Sequence, residues 1–317
     1  MLLAAIEAGG TKFVCGVGNA ETGSLETATI PTRDPDSTFA DVEAYFRSAT
    51  ERFGPLHGIG IGSFGPIDLD PASHGYGRIL RTPKPYWEQC NLIARAQRIA
   101  AVPIGLDTDV NSAALAEAAA VGPDISTLAY VTVGTGIGVG IVANGKPLQG
   151  LGHPEAGHGF PRRHEAHKNF PGICPFHGDC YEGLASGTAI ESAWVVTPSH
   201  FPEDHPFWDV ESHYLAQLCA SLFVTVAPER IVLGGGVMKQ QRLFPLIRRK
   251  ALDLLAGYVA ALPDMEAMES RIVPPLCDEP SGLIGSYILA ANAVADAALA
   301  SPHPARSRSS AEPCGGS

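Results

Sequence analysis

Positive charge is scarce in this 317-residue chain: 22 lysines and arginines face 33 aspartates and glutamates, for a net charge of −11. A protein whose main partner is nucleic acid needs the opposite balance, so no nucleic-acid partner is expected. Nucleotides stay open, because local backbone geometry and a metal ion suffice to bind a small phosphate ligand. Long apolar runs are also lacking. None is expected to reach the roughly 18 residues of a membrane span. The start, Met1 to Glu7, has no basic segment of the kind that opens a signal peptide, so no membrane partner is expected. Cysteine is sparse and odd in number, at seven, with five scattered singly. That usage suits buried thiols in a reducing cytoplasm, not a disulfide scaffold. Cys174 and Cys180 are close together and need their own explanation.

What remains is a chain with 45% hydrophobic and 17% charged residues, long enough for one large or two ordinary domains. Two segments share one design. Leu2 to Val17 and Leu128 to Val142 are each a β-rich run, a glycine turn with a threonine, and a second β-rich run. This pattern predicts a hairpin. Each hairpin precedes a helix and a strand running into glycines. In the first half the helix is expected over Phe39–Phe53, capped by Ser37 or Thr38, and its strand ends at Gly62-Ser63-Phe64-Gly65-Pro66. In the second half the helix is expected over Asp209–Val226, and its strand, Arg230–Leu233, ends at Gly234-Gly235-Gly236. The reading is a duplicated α/β unit. Residues 1–110, completed by a C-terminal helix over 281–299, form a small domain, and 111–280 form a large one. Further helices are expected over Asn111–Val121 and Gln241–Ala261. Residues 146–205 are rich in Gly, Pro, His and Cys and poor in periodicity, which predicts a long functional loop. The tail 301–317 is expected to be disordered.

Tight glycine turns let backbone N–H groups approach a phosphate. Gly9-Gly10-Thr11-Lys12 and Gly134-Thr135-Gly136 are such candidates, although glycines in hairpin turns can also serve only to allow φ > 0. Neither has P-loop spacing. Phosphoryl transfer further needs a group to accept the acceptor's proton. Asp109, in Asp107-Thr108-Asp109-Val110-Asn111 after the short strand Pro103–Leu106, is the candidate base. An N-cap role for Asp107 or Asp109 is the alternative.

His158 followed by Cys174, His177 and Cys180 offers four ligands suited to zinc in a closed, structural site. A metal there would cross-link the loop over 150–185. Glu155 and Glu182 flank the cluster, and carboxylates suit vicinal sugar hydroxyls.

On these residues the chain resembles the ROK family of sugar kinases and repressors, in its fructokinase branch, from about Leu2 to Ala298. Glu7-Ala8-Gly9-Gly10-Thr11-Lys12 resembles the first phosphate motif, with glutamate where most members have aspartate. Gly62 to Asp68 and Thr82 to Trp87 resemble the fructokinase branch. The resemblance implies an actin-like, ribonuclease-H-like pair of α/β domains around a cleft, with a zinc-bound loop insertion. It implies Asp109 as catalytic base, and Glu155, Glu182, His158, Asn111, Gly65 and Pro66 about the sugar. It implies Gly234, Gly235, Gly236 and Ser281–Gly285 about the adenosine, and the two hairpin turns about the phosphates. The implied activity is transfer from Mg-ATP to a hexose, D-fructose giving fructose 6-phosphate, by a cytoplasmic homodimer with structural Zn²⁺. Kinases for glucose, mannose or an N-acetylated hexosamine are the rivals within the family, and Thr108, where glucokinases have asparagine, disfavours glucose. A sugar-sensing repressor is the rival of another class. It requires a helix-turn-helix segment, whereas here the first strand is expected at Leu2.

Overall fold

The computed structural model describes residues 1–194 and 201–300. The tail 301–317, expected to be disordered, lies outside the described residues. The chain opens with β1 (Leu3–Ala8), β2 (Lys12–Asn19), β3 (Gly23–Pro31), α1 (Pro35–Phe53), β4 (Gly58–Ser63), α2 (Leu92–Gln97) and β5 (Ile104–Thr108). After α3 (Asp109–Val121) come β6 (Thr127–Val133), β7 (Ile137–Ala143) and β8 (Lys146–Pro147). Next are α4 (Tyr181–Ala185), α5 (Gly187–Trp194), α6 (Phe207–Thr225), β9 (Arg230–Gly234) and α7 (Leu243–Leu255). The last are α8 (Met265–Arg271), β10 (Ile272–Val273) and α9 (Ser281–Ala300).

The duplication read from the hairpins extends to whole sheets. One sheet has the order β3-β2-β1-β4-β5 and the other, read the same way, β8-β7-β6-β9-β10. In each, the first hairpin is antiparallel and its first strand pairs in parallel with the strand after the crossover. The third strands, β3 and β8, were not expected from the sequence. Each sheet has its own core, with Ile6, Phe13, Phe39, Phe46 and Trp87 in the first and Val131, Phe207, Tyr214, Leu215 and Ile247 in the second.

Helix α1 starts four residues before the expected Phe39. Asp34 is its cap, accepting from Ser37 N–H at 2.9 Å, and Pro35 suits the first helical position. Thr38, expected as a cap, instead accepts from Arg33 N–H at 2.9 Å and ties down the chain entering the helix. The helix expected over Gln241–Ala261 is shorter, ending at Leu255 where Ala256 turns left-handed.

Residues 146–205 are not the coreless loop that their composition suggests. Tyr181, Leu184, Ala185 and Ile190, from α4 and α5, join the second core. The segment is also tied to α6: Arg162 N–H donates to Gln217 Oε1 at 2.8 Å, and Gln217 Nε2 returns a bond to Arg162 O at 3.0 Å. Its 195–200 portion lies outside the described residues.

Against expectation, α9 has the length of a membrane span and a mean hydropathy of 1.5. The structure buries the first half of the helix and leaves residues 295–300 exposed. Leu283, Tyr287 and Ala290 pack on Leu3 and Ala5 of β1, and the helix also lies along β4, β5 and α3.

Candidate active site and metal centre

The C-terminal ends of β1, β4 and β5 stand side by side, with Glu7 in register with Gly62 and Gly62 with Asp107. They open into a cavity of about 890 Å³. Gly9, Gly10, Thr11 and Lys12 line one wall, with Gly65 and Pro66 beside them. Gly134, Thr135, Gly136, Gly235 and Gly236 also line the cavity, with Asp109, Glu155, His158 and Glu182. Residues as far apart in the chain as Glu7 and Gly236 thus share one space.

The two phosphate-type turns are braced alike. Thr32 Oγ1 donates to Gly9 O at 2.7 Å, and Thr188 Oγ1 donates to Thr135 O at 2.9 Å. A carbonyl engaged in this way does not oppose an incoming phosphate, which seeks N–H groups. Gly235 (φ 90°) closes β9 so near β6 that a Cβ would come within 2.5 Å of Val133 O, so only glycine fits.

The capping alternative for the aspartates resolves locally. Thr108 is the cap of α3, its Oγ1 accepting from Asn111 N–H at 3.1 Å. Asp109 is left at the first helical position, half-buried, with Oδ1 accepting from Val110 N–H at 2.9 Å. Burial pushes its carboxyl up to about 6. Glu7 is pushed up to about 7 by burial and by the charge of Asp109, with Lys12 opposing. Glu155 keeps 47% of its side-chain surface open to the cleft yet sits deep among protein atoms. That depth, with the charges of Glu182 and Asp109, pushes it up to about 7. Four carboxylates therefore crowd one cleft, an arrangement that calls for a cation or hydroxyl donors between them.

Asn111, Gly234 and the Ser281–Gly285 segment, all expected about the ligands, fall outside the cavity lining. Asn111 is fully buried behind Asp109, and its Nδ2 donates to Asp107 Oδ1 at 2.7 Å. Helix residues two apart point about 200° away from each other, so Asn111 turns its back on the cleft that Asp109 faces. Gly234 lies one residue behind the glycines that line the space. Its role is to admit Tyr130, whose Oη would stand 2.2 Å from a Cβ there.

The metal ligands converge. The ligand atoms of His158, Cys174, His177 and Cys180 all lie within 4.8 Å of one another. His158 Nδ1 is 3.7 Å from Cys174 Sγ and 3.5 Å from Cys180 Sγ, and His177 Nδ1 is 3.6 Å from Cys174 Sγ. A tetrahedron with Zn–S near 2.3 Å and Zn–N near 2.05 Å has N···S edges of about 3.6 Å. The residues fit zinc. Both cysteines are free thiols. The cluster also fixes its neighbours. Glu182 follows Cys180 by two residues and accepts from Ile137 N–H at 3.1 Å, and a Cβ on Gly136 would meet its Oε2 at 2.4 Å. One glutamate therefore joins the His/Cys loop to the Gly134-Thr135-Gly136 turn.

The ROK family model matches residues 3–293. The chain belongs to the ROK family. It is 41% identical over 296 residues to a putative fructokinase of Bacillus subtilis, covering 92% of this chain and 96% of that one. It is 38% identical over 294 residues to the fructokinase of Zymomonas mobilis, covering 90% and 95%. Its fold is that of the ROK hexokinase from Thermus thermophilus, with a TM-score of 0.73 at 24% identity, covering 93% of this chain and all of that one. This is the actin-like pair of α/β units expected from the sequence.

Within this ROK protein, His153 is the cleft residue that motif reading left without a role. Its Nε2 accepts from Ile67 N–H at 3.3 Å, across from the second unit to the first, and its Nδ1 lies 3.4 Å from Glu155 Oε1. With Nε2 accepting, Nδ1 carries the proton and can donate to Glu155. The only sequence signal was its place two residues before Glu155.

Proposed function

We infer that this chain is an ATP-dependent hexose kinase that phosphorylates D-fructose to fructose 6-phosphate. The observation that carries this is convergence: two glycine turns and the carboxylates of Glu7, Asp109, Glu155 and Glu182 line a single cavity in a chain 38–41% identical to fructokinases over most of its length.

Residues 1–110 with α9 form the small domain, and 111–280 form the large one, with the cleft between them. Fructose is held by Glu155 and Glu182, with His158, Gly65 and Pro66 beside it. Asp109 accepts the proton of the C6 hydroxyl as its oxygen attacks the γ-phosphorus of ATP, and the bond from that phosphorus to the β-phosphate oxygen breaks to release ADP. A base whose carboxyl lies near 6 is ionised at neutral pH and still able to take a proton, as general-base catalysis favours. Gly9 to Lys12 and Gly134 to Gly136 hold the phosphates by their amides, and Gly235 and Gly236 bear on the adenosine. Glu7 suits the Mg²⁺ that accompanies ATP, because its Oε2 is buried without a partner. Bound there, the ion would neutralise phosphate charge. Zn²⁺ in the four-ligand cluster is structural: it pins the loop that carries Glu155 and Glu182. A cytoplasmic homodimer, implied by the family resemblance, completes the reading.

A coupled assay with Mg-ATP over fructose, glucose, mannose and N-acetylglucosamine tests this. Fructose is expected to give the highest kcat/KM by at least about tenfold, the scale that one well-placed polar contact provides. Preference for another hexose overturns the substrate, and no turnover with any of them overturns the kinase. Light scattering tests the dimer.

A further inference from the structure

Strand β1 alternates. Ala4, Ile6 and Ala8 enter the first core, while Leu3 and Ala5 face α9. Glu7 is next on the α9 face, and there it meets Gly282, in the first turn of that helix. A Cβ at 282 would lie 2.8 Å from Glu7 Cδ, 2.9 Å from Oε1 and 3.0 Å from Cγ. Those distances are well inside carbon contact distance.

The helix has no room to withdraw. Ser286 Oγ accepts from Gly62 N–H at 3.1 Å and reaches Ile6 O at 3.2 Å. A Cβ on Gly60 would stand 1.7 Å from Ser286 O, and one on Gly285 would stand 1.7 Å from Ser112 O. Backbone touches backbone on both sides, so α9 is wedged between the sheet and α3. The mobile partner at Gly282 is the side chain of Glu7.

We propose that Gly282 is a positioning residue for Glu7, the missing side chain leaving the room in which the glutamate presents its carboxylate in the cleft for the divalent cation of the nucleotide. This rests on the reading of Glu7 as the cation-facing group, and it goes further by assigning a residue 275 positions away to that task. It also makes Glu7 and Gly282 a matched pair. Aspartate, shorter by one methylene, does not need the space.

The test is Gly282→Ala in the full chain, in wild-type and Glu7→Asp backgrounds, read by Mn²⁺ binding with ADP in electron paramagnetic resonance and by the Mg²⁺ dependence of turnover. Alanine favours a helix over glycine, so the melting temperature is expected to hold or rise. Mn²⁺ affinity is expected to fall about tenfold in G282A, the scale of one displaced charged contact. The Mg²⁺ half-saturation should rise in parallel, with the hexose KM unmoved. In the Glu7→Asp background the same alanine is expected to change Mn²⁺ affinity by less than about twofold. Equal losses in both backgrounds, or none in wild type, overturn the proposal. Glu7→Gln separates it from its premise. If E7Q binds Mn²⁺ normally, the cation reading fails. If E7Q weakens Mn²⁺ and G282A does not, only the positioning role fails.

Discussion

Replacing Asp109 by asparagine removes a charge and little else. Asn Oδ1 can keep the 2.9 Å bond from Val110 N–H, so the start of α3 is preserved. Two effects of opposite sign follow. Turnover should fall by roughly 10²–10⁴, the range for losing a general base. Stability should rise. Burial lifts the Asp109 carboxyl from 3.8 to about 6, which means that the folded chain disfavours the ionised form. Below pH 3.8 the group is protonated in both folded and unfolded chains and costs nothing. Between 3.8 and about 6 the unfolded chain ionises first, and stability is lost as pH rises through the folded value. Above that the penalty is constant. At about 1.4 kcal/mol per pH unit the ceiling is about 3 kcal/mol. Water in the open cleft screens the half-buried side chain, so about 1–2 kcal/mol is the better figure. Glu7 adds to the same direction, because the charge that helps to raise it to about 7 is gone. For a chain of this size the D109N melting temperature at pH 8 should be higher by roughly 2–5 °C, with the difference vanishing near pH 4. Thermal melts of ligand-free protein from pH 4 to 8, beside coupled kinetics, read both effects. Wild-type kcat/KM should climb with pH through about 6. Near-normal turnover in D109N would remove Asp109 as base. A lower melting temperature at pH 8, or a gain independent of pH, would refute the burial argument.

Asn111→Ala should cost about 1–3 kcal/mol of stability by removing one hydrogen bond to buried Asp107, whose Oδ1 keeps only the 2.7 Å bond from Thr108 N–H, while leaving the fructose KM within twofold; a tenfold KM increase would put Asn111 in the sugar site. Glu182→Ala should raise the KM for both fructose and ATP by about tenfold, because that carboxylate bears on the loop and on Gly136 alike. A rise confined to one substrate contradicts the bridging role. Cys174→Ser, or treatment with a strong chelator, should remove one zinc per chain, lower the melting temperature and raise the fructose KM. Zinc-free protein with unchanged melting and kinetics would show that the loop stands without the metal.

Much of this site could be read in the linear chain because its signals are local. Strand alternation around a glycine turn encodes a hairpin, and doing so twice encodes a duplicated unit. Three-residue steps from Cys174 to His177 to Cys180 place ligands on one tight loop. These patterns need only a few neighbouring residues, and the structure keeps them at the same positions. Asn111 is where spacing along the chain was not enough. Asp109 and Asn111 belong to one short motif, but a helix beginning at Asp109 sends them to opposite sides, and only the Thr108 cap fixes where that helix begins. Tertiary structure alone decided which surfaces meet. His153 reaches Ile67, and Glu7 meets Gly282, only because α3 and α9 wedge the two sheets together through contacts that glycine permits. Composition and spacing determine which face an element presents. The partner of that face is set by close packing between elements far apart in the chain, about which neither composition nor spacing carries information.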